Sequence, residues 1–440
     1  MYTVNNYQSK EQFLSHLKGF DVCRNPFQSY AFMSVFLKYF PQGDFDFFEV
    51  FEDGKLIGIV PFECTFKSSL LRVRKYRFIG YRQFNYEQYI CSEENIEKVH
   101  IAIKDYFAKQ PYSVVLNLYD INDSTNMYKL LMKERKKVSL SLYQCPFLHF
   151  QPDFDEFFKS IYTSSKKRTE LKKFHRKVTE LGIFKVVNVE NAASYEENIN
   201  YINQIYRVHA ERFADVYATS FFGEEHMRPY YSELIKSLMY GQRGHLSLAI
   251  LDDIVIAFVF SLTDGKVLTD WIPAFDPSFA KYNLGIVQYK ILFEEMCKQG
   301  KYEIFDYSKG SSPYKRKWAK EETSNYQILM ALPTANPFAL MLNKIDCWMF
   351  SFKVFLRNKG VLAWIKQVIG SLRSKKAGSS QSSDFTVEYT DLSAKNNFSY
   401  SSIRELSVPV RAAILNALYA GDHFVSVDVK DGKTQILLSK

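Results

Sequence analysis

This chain is poor in tryptophan, in paired cysteines and in secretory signal, and each shortage removes a class of protein. Four Trp stand against 38 Phe and 30 Tyr, so aromatic cores here rest on single rings, and periodicity has to be read with Phe and Tyr as core formers. The six cysteines (Cys23, Cys64, Cys91, Cys145, Cys297, Cys347) form no C-x-x-C pair and have no His at zinc-ligand spacing. A structural metal and a secreted disulfide framework are therefore not expected. Met1 to Lys10 is polar and lacks an apolar secretory region. The expectation is a cytoplasmic protein.

At 440 residues the chain exceeds one ordinary core, and two or three folding units are expected. Its formal charge of +9 is local. Lys159 to Gly182 carries eight Lys/Arg against Glu170 and Glu180, and Phe338 to Lys376 carries eight against Asp346, so the remainder is slightly acidic.

One order of elements occurs twice: helix, hairpin, strand, helix, strand. The first copy reads as a helix over 28–40, strands 47–51 and 56–62 either side of Asp53-Gly54, a Tyr-rich strand over 83–90, a helix over 93–109 and a strand over 113–118. The second reads as a helix over 223–239, strands 246–251 and 255–262 joined through Asp252-Asp253, a strand over 267–273, a helix over 284–299 and a strand over 303–307. Each ends in a strand–helix–strand passage that demands a parallel crossover, so each is expected to be a mixed α/β sheet with helices on its faces. The alternative is two unrelated α/β domains. Expected boundaries are 1–150 and 151–332 for the two modules, 333–376 for a basic amphipathic helical segment, 377–384 for a Gly/Ser linker and 385–440 for a small α+β appendage.

Phe305-Asp306-Tyr307-Ser308-Lys309-Gly310, continuing through Tyr314-Lys315 to Trp318, resembles the Asp-Phe-x-x-Gly-x-x-x-Tyr-Lys-x-x-Trp signature of the GNAT-superfamily acyltransferases related to CelD proteins of cellulose and exopolysaccharide biosynthesis. That family is structurally similar to Fem-type aminoacyl transferases. Asp276-Pro277 followed by Tyr282-Asn283-Leu284-Gly285 resembles its Asp-Pro and Tyr-Ser-Pro-Gly elements, with Asn283-Leu284 in place of Ser-Pro. Softer matches are Lys167-Arg168 to Arg176, His209 to Phe213 and Asn25-Pro26-Phe27-Gln28. The likeness spans about residues 20 to 325 and implies tandem GNAT-like modules.

Acyl transfer from a thioester to an amine needs an anchored donor, an oxyanion stabiliser and a path for a proton. A helix start at Lys281, Tyr282, Asn283, Leu284 and Gly285 suits a pyrophosphate, or is an ordinary capped helix; the resemblance favours the first. The usual coenzyme A loop, Arg/Gln-x-x-Gly-x-Gly/Ala, is absent, so acetyl-CoA or another acyl-CoA is implied by analogy. Lys315 could hold a phosphate or an oxyanion, Asp306 and Asp270 could act as bases or be turn and strand residues, and Tyr314 could protonate a leaving thiolate. Gly310 is placed with the donor site, and Arg168, Glu211, Arg212 and Trp318 with substrate, although local ion pairs explain Glu211 and Arg212 equally.

The basic helix over 166–177 reads as a solvated connector, a phosphate clamp or, least favoured, a tRNA docking face. Met341, Ile345, Trp348, Phe352, Phe355 and, past Gly360, Leu362, Ile365, Ile369 and Leu372 recur at three- and four-residue steps with one step of seven across Lys359-Gly360. That stripe packs on a module or lies on an anionic membrane, the inner face of the cell membrane being the expected one. The leading expectation is an N-acyltransferase acting on an amino-sugar or a nucleotide- or lipid-linked sugar of a surface polysaccharide. Its rivals are aminoacyl transfer from charged tRNA and a non-catalytic scaffold.

Overall fold

The computed structural model describes residues 2–20, 25–80, 83–134, 137–214, 221–310, 312–332, 335–358, 385–390, 398–430 and 433–439. The chain forms two compact units: Met1–Leu148 with Asp306–Leu362, and His149–Phe305 with Ala363–Lys440.

The first unit begins β1 (Tyr2–Tyr7), α1 (Lys10–Gly19), α2 (Tyr30–Tyr39), β2 (Phe45–Glu52), β3 (Lys55–Ser68), β4 (Val73–Phe78), β5 (Ile90–Cys91), α3 (Ile96–Ala108), β6 (Ser113–Asn122), α4 (Asn126–Leu131) and β7 (Lys137–His149). The hairpin β2–β3 turns where expected, with Asp53 and Gly54 both left-handed at φ 50° and 81°. The crossover is also present, because β4 runs parallel to β6 with α3 between them. Its first strand, however, is 73–78 and not the Tyr-rich run 83–90. Tyr86 is left-handed at φ 59°, and the side chains of Asn25 and Gln28 donate to the carbonyls of Tyr86 and Gln88, which replaces a strand ladder by a braced loop.

The second unit contributes α5 (Phe154–Ile161), α6 (Ser165–Thr179), β8 (Phe184–Val189), α7 (Ala192–Glu197), α8 (Ile199–Ile202), α9 (Ile205–Phe213), α10 (Arg228–Tyr240), β9 (Gly244–Leu251), β10 (Ile254–Thr263), β11 (Val267–Phe275), α11 (Leu284–Gln299) and β12 (Ile304–Asp306). Its sheet runs β12-β11-β10-β9-β8. β9 and β10 are buried along their whole length, as near-continuous apolar runs require.

The chain then returns to the first unit with α12 (Pro313–Trp318), β13 (Glu321–Ala331) and α13 (Pro337–Asn358). β13 pairs antiparallel with β6 on one side and β7 on the other, giving the order β1-β2-β3-β4-β6-β13-β7. The signature segment placed in the second module by sequence thus folds with the first unit from Asp306 onward.

The appendage is β14 (Phe385–Thr390), α14 (Tyr400–Ile403), α15 (Val408–Ala420), β15 (His423–Lys430) and β16 (Lys433–Ser439), with β14 parallel and β15 antiparallel to β16. Tyr400, Ile403, Val410, Ile414, Leu415 and Leu438 share one buried cluster with Ala249, Ile256, Phe279 and Leu284, so this segment completes the core of the second unit. The linker 377–384 and the basic stretch after Asn358 lie outside the described residues.

Candidate functional site

The signature segment is a tight turn held by its own side chains. Asp306 Oδ1 accepts from the Ser308 N–H at 2.8 Å, Ser308 is left-handed at φ 56°, and Gly310 has φ 90°, where only glycine is unstrained. Pro313 opens α12 at its first turn. From α12 the Lys315 ammonium reaches back to the carbonyls of Tyr307 at 2.6 Å and Lys309 at 2.8 Å. Trp318 is buried, and the Tyr314 ring stands edge-on to Tyr307 at 6.4 Å. Asp306, Gly310, Tyr314, Lys315 and Trp318 are therefore brought together, with Lys315 bracing the turn.

Groups that sequence reasoning did not single out pack against this turn within the first unit. The buried Tyr86 hydroxyl lies beside Asp306 and the Cys145 thiol. Burial, helped by the Asp306 charge, pushes the Cys145 thiol up to about 12. Burial also raises the Asp306 carboxyl, against the Ser308 N–H and the Lys315 charge. Lys309 pairs with Asp120, a fully buried residue at φ 54°, and donates to Phe84 O at 2.9 Å. Glu87 is buried near that pair, and its carboxyl is held well above its usual range by burial and then by Asp120, with Lys309 opposing. Three non-glycine residues at positive φ, Tyr86, Asp120 and Ser308, thus lie among three carboxyls, those of Glu87, Asp120 and Asp306, and two ammonium groups, those of Lys309 and Lys315. The one sequence signal was Asn25 to Gln28, whose side chains hold the 85–88 loop: Asn25 Nδ2 donates to Tyr86 O at 2.6 Å and Gln28 Nε2 to Gln88 O at 2.7 Å.

In the second unit, Asn283 stands at the start of α11 in the left-handed region (φ 48°), and no side chain caps the first turn. The N–H groups of Leu284 and Gly285 thus meet the helix dipole's positive end. A Cβ on Gly285 would come within 3.0 Å of the Phe275 ring, so glycine is what lets α11 approach β11. Lys281 is exposed beside this turn, whereas Tyr282 is buried and donates to Leu415 O at 2.9 Å.

The remaining expected residues take structural partners. Asp270 accepts from the Tyr289 hydroxyl at 2.6 Å. Glu211 binds Arg207 and Arg411, Arg212 lies over the Phe275 ring at 4.7 Å, and Arg168 donates to Thr163 O at 2.9 Å, closing the turn before α6. For Glu211 the ion-pair alternative is what the structure contains.

Residues 165–316 match the family model described as an acetyltransferase (GNAT) domain. This segment is a GNAT-type acyltransferase domain. No curated protein matches the chain. Among solved structures, the chain is similar to the DUF2156 C-terminal domain assigned to a lysylphosphatidylglycerol synthetase of Agrobacterium fabrum, at 10% identity over 76% of this chain and 95% of that one, TM-score 0.48. FemX is similar at 9% identity over 74% and 96%, TM-score 0.47, and a tandem GNAT protein from the clavulanic acid pathway at 8% over 74% and 98%, TM-score 0.38. The GNAT-type domain spans α6 through α11 and runs on into the signature turn.

Proposed function

We propose that this acyltransferase moves an acyl group, acetyl foremost, from coenzyme A to an amino group on a sugar-containing precursor of a cell-surface polysaccharide. The observation that carries the donor is the start of α11 inside the GNAT-type segment, with no side-chain cap, where the half-buried Gly285 offers its N–H to a pyrophosphate and the exposed Lys281 adds a positive charge. Coenzyme A supplies the activated thioester. The chain's own contribution is to fix that thioester and to exclude water. In the transfer a C–N bond forms, the C–S bond breaks, the amine loses a proton and the thiolate gains one. Lys315 serves by holding the signature turn through two carbonyls, so it is a positioning residue in this reading. The sugar acceptor rests on the CelD-like resemblance.

A second reading, aminoacyl transfer from charged tRNA, is favoured by one observation: α6 exposes Lys166, Lys167, Lys172, Lys173 and Arg176, a basic face that suits a phosphate backbone. The full chain, supplied with acetyl-CoA and a panel of amino-sugars and their nucleotide-linked forms, is expected to release free thiol in an acceptor-dependent manner. Transfer from charged tRNA with no thiol release would favour the second reading, and neither activity would sink both.

A further inference from the structure

The apolar side of α13 faces solvent. Phe338, Met341, Ile345, Trp348, Met349, Phe352 and Phe355 are between 43% and 68% exposed. At 100° per residue these seven positions fall within an arc of about 120° on the helix. The opposite side is committed to the first unit: Ala339 packs in a cluster with Val73 and Val115, Asn343 is buried, and Asp346 pairs with Lys75 of β4. The helix is therefore fixed by its inner face while its outer face carries a half-exposed apolar surface. Trp348 and Phe352 stack on that outer face, ring centroids 5.7 Å apart and ring planes nearly parallel, which makes one continuous aromatic plate of two rings.

Charge says what this plate fits. From Phe338 to Lys376 the sequence holds eight Lys/Arg against Asp346, and that one carboxylate is already neutralised by Lys75. Lys344 is exposed, at a position bordering the apolar arc. An apolar stripe on a strongly basic segment repels a like-charged second copy of itself and attracts an anionic apolar boundary. Among the described residues no helix is long and apolar enough to cross a membrane, so the geometry is that of a helix lying in an interface. We propose that α13 docks the protein onto the surface of an anionic lipid bilayer, with Trp348, Phe352 and Phe355 entering the headgroup–acyl boundary. The docking is independent of the identity of the acyl acceptor.

The experiment is flotation of the full chain on vesicles of phosphatidylglycerol and phosphatidylcholine, and on phosphatidylcholine alone, at low and high salt. The chain is expected to float with the anionic vesicles, to lose most of that binding in high salt, and to bind the neutral vesicles weakly. Trp348→Glu with Phe352→Glu changes only exposed positions, so its melting temperature should match the parent while its anionic-vesicle partitioning falls at least about tenfold. Absence of binding by the parent at low salt would overturn the proposal, as would equal binding by parent and variant. A parent that sediments as a dimer, with the variant monomeric and vesicle binding unchanged, would assign the face to a second copy instead.

Discussion

Asp276 and Arg411, 135 positions apart, meet at 3.3 Å in the interior of the second unit. Both are almost completely buried, and the same guanidinium reaches Glu211 at 2.6 Å while Tyr400 donates to Asp276. The Asp-Pro element preceding α11 is thereby tied to the appendage, and its carboxylate is spent on packing.

Removing Arg411 leaves Asp276 buried without its cation. Arg411→Ala is expected to destabilise the protein by about 3–5 kcal/mol, as breakage of buried pairs does. Urea unfolding of the two proteins measures it. A loss under about 1 kcal/mol would mean that the appendage is a detachable cover.

Glu87 gives a pH signature. Its folded carboxyl titrates well above the usual 4.5, so the folded protein binds a proton there that the unfolded chain has released. This group's contribution is fully present below pH about 4.5 and is progressively lost as pH rises toward the folded pKa. Glu87→Gln keeps the shape and removes the titration. Thermal melts of parent and variant should show the variant gaining relative stability as pH rises from 5 to 8; parallel curves would show that Glu87 is ionised at little cost.

Much of this architecture was legible in the chain. Asp53-Gly54 marked its hairpin, and α11 begins and ends where the periodicity places it. What the sequence concealed has a physical cause in each case. The run 83–90 alternates like a strand, yet Asn25 and Gln28, some sixty positions away, satisfy its carbonyls and bend it. Glu87, Asp120 and Lys309 come from a loop, a strand end and a turn, so no spacing could announce their meeting. Lys315 was expected to hold a phosphate or an oxyanion, and only the left-handed Ser308 and Gly310 show why two backbone carbonyls turn toward it.

That geometry separates two roles for Lys315. Lys315→Met keeps the stem and deletes the ammonium, leaving the Tyr307 and Lys309 carbonyls without it. A bracing role predicts a stability loss of about 1–3 kcal/mol together with lower activity. If the ammonium serves the reacting oxyanion instead, activity falls with the melting temperature unmoved. Differential scanning calorimetry beside a thiol-release assay distinguishes them.

Gly285 tests the donor end. A methyl group there would sit 3.0 Å from the Phe275 ring, tighter than ordinary contact, so α11 must shift by a few tenths of an ångström. Gly285→Ala is expected to raise KM for acyl-CoA several-fold while leaving kcat nearly unchanged, because the helix N-terminus binds donor and transition state alike. Stability should change by no more than about 1 kcal/mol, since the alanine's helix propensity offsets part of the crowding. Combining it with Phe275→Leu removes the ring edge and should restore KM toward the parent value. A double variant as impaired as the single one would show that the added methyl obstructs the donor directly and not through the Phe275 ring, and an unchanged KM in the single variant would remove this turn from the donor site.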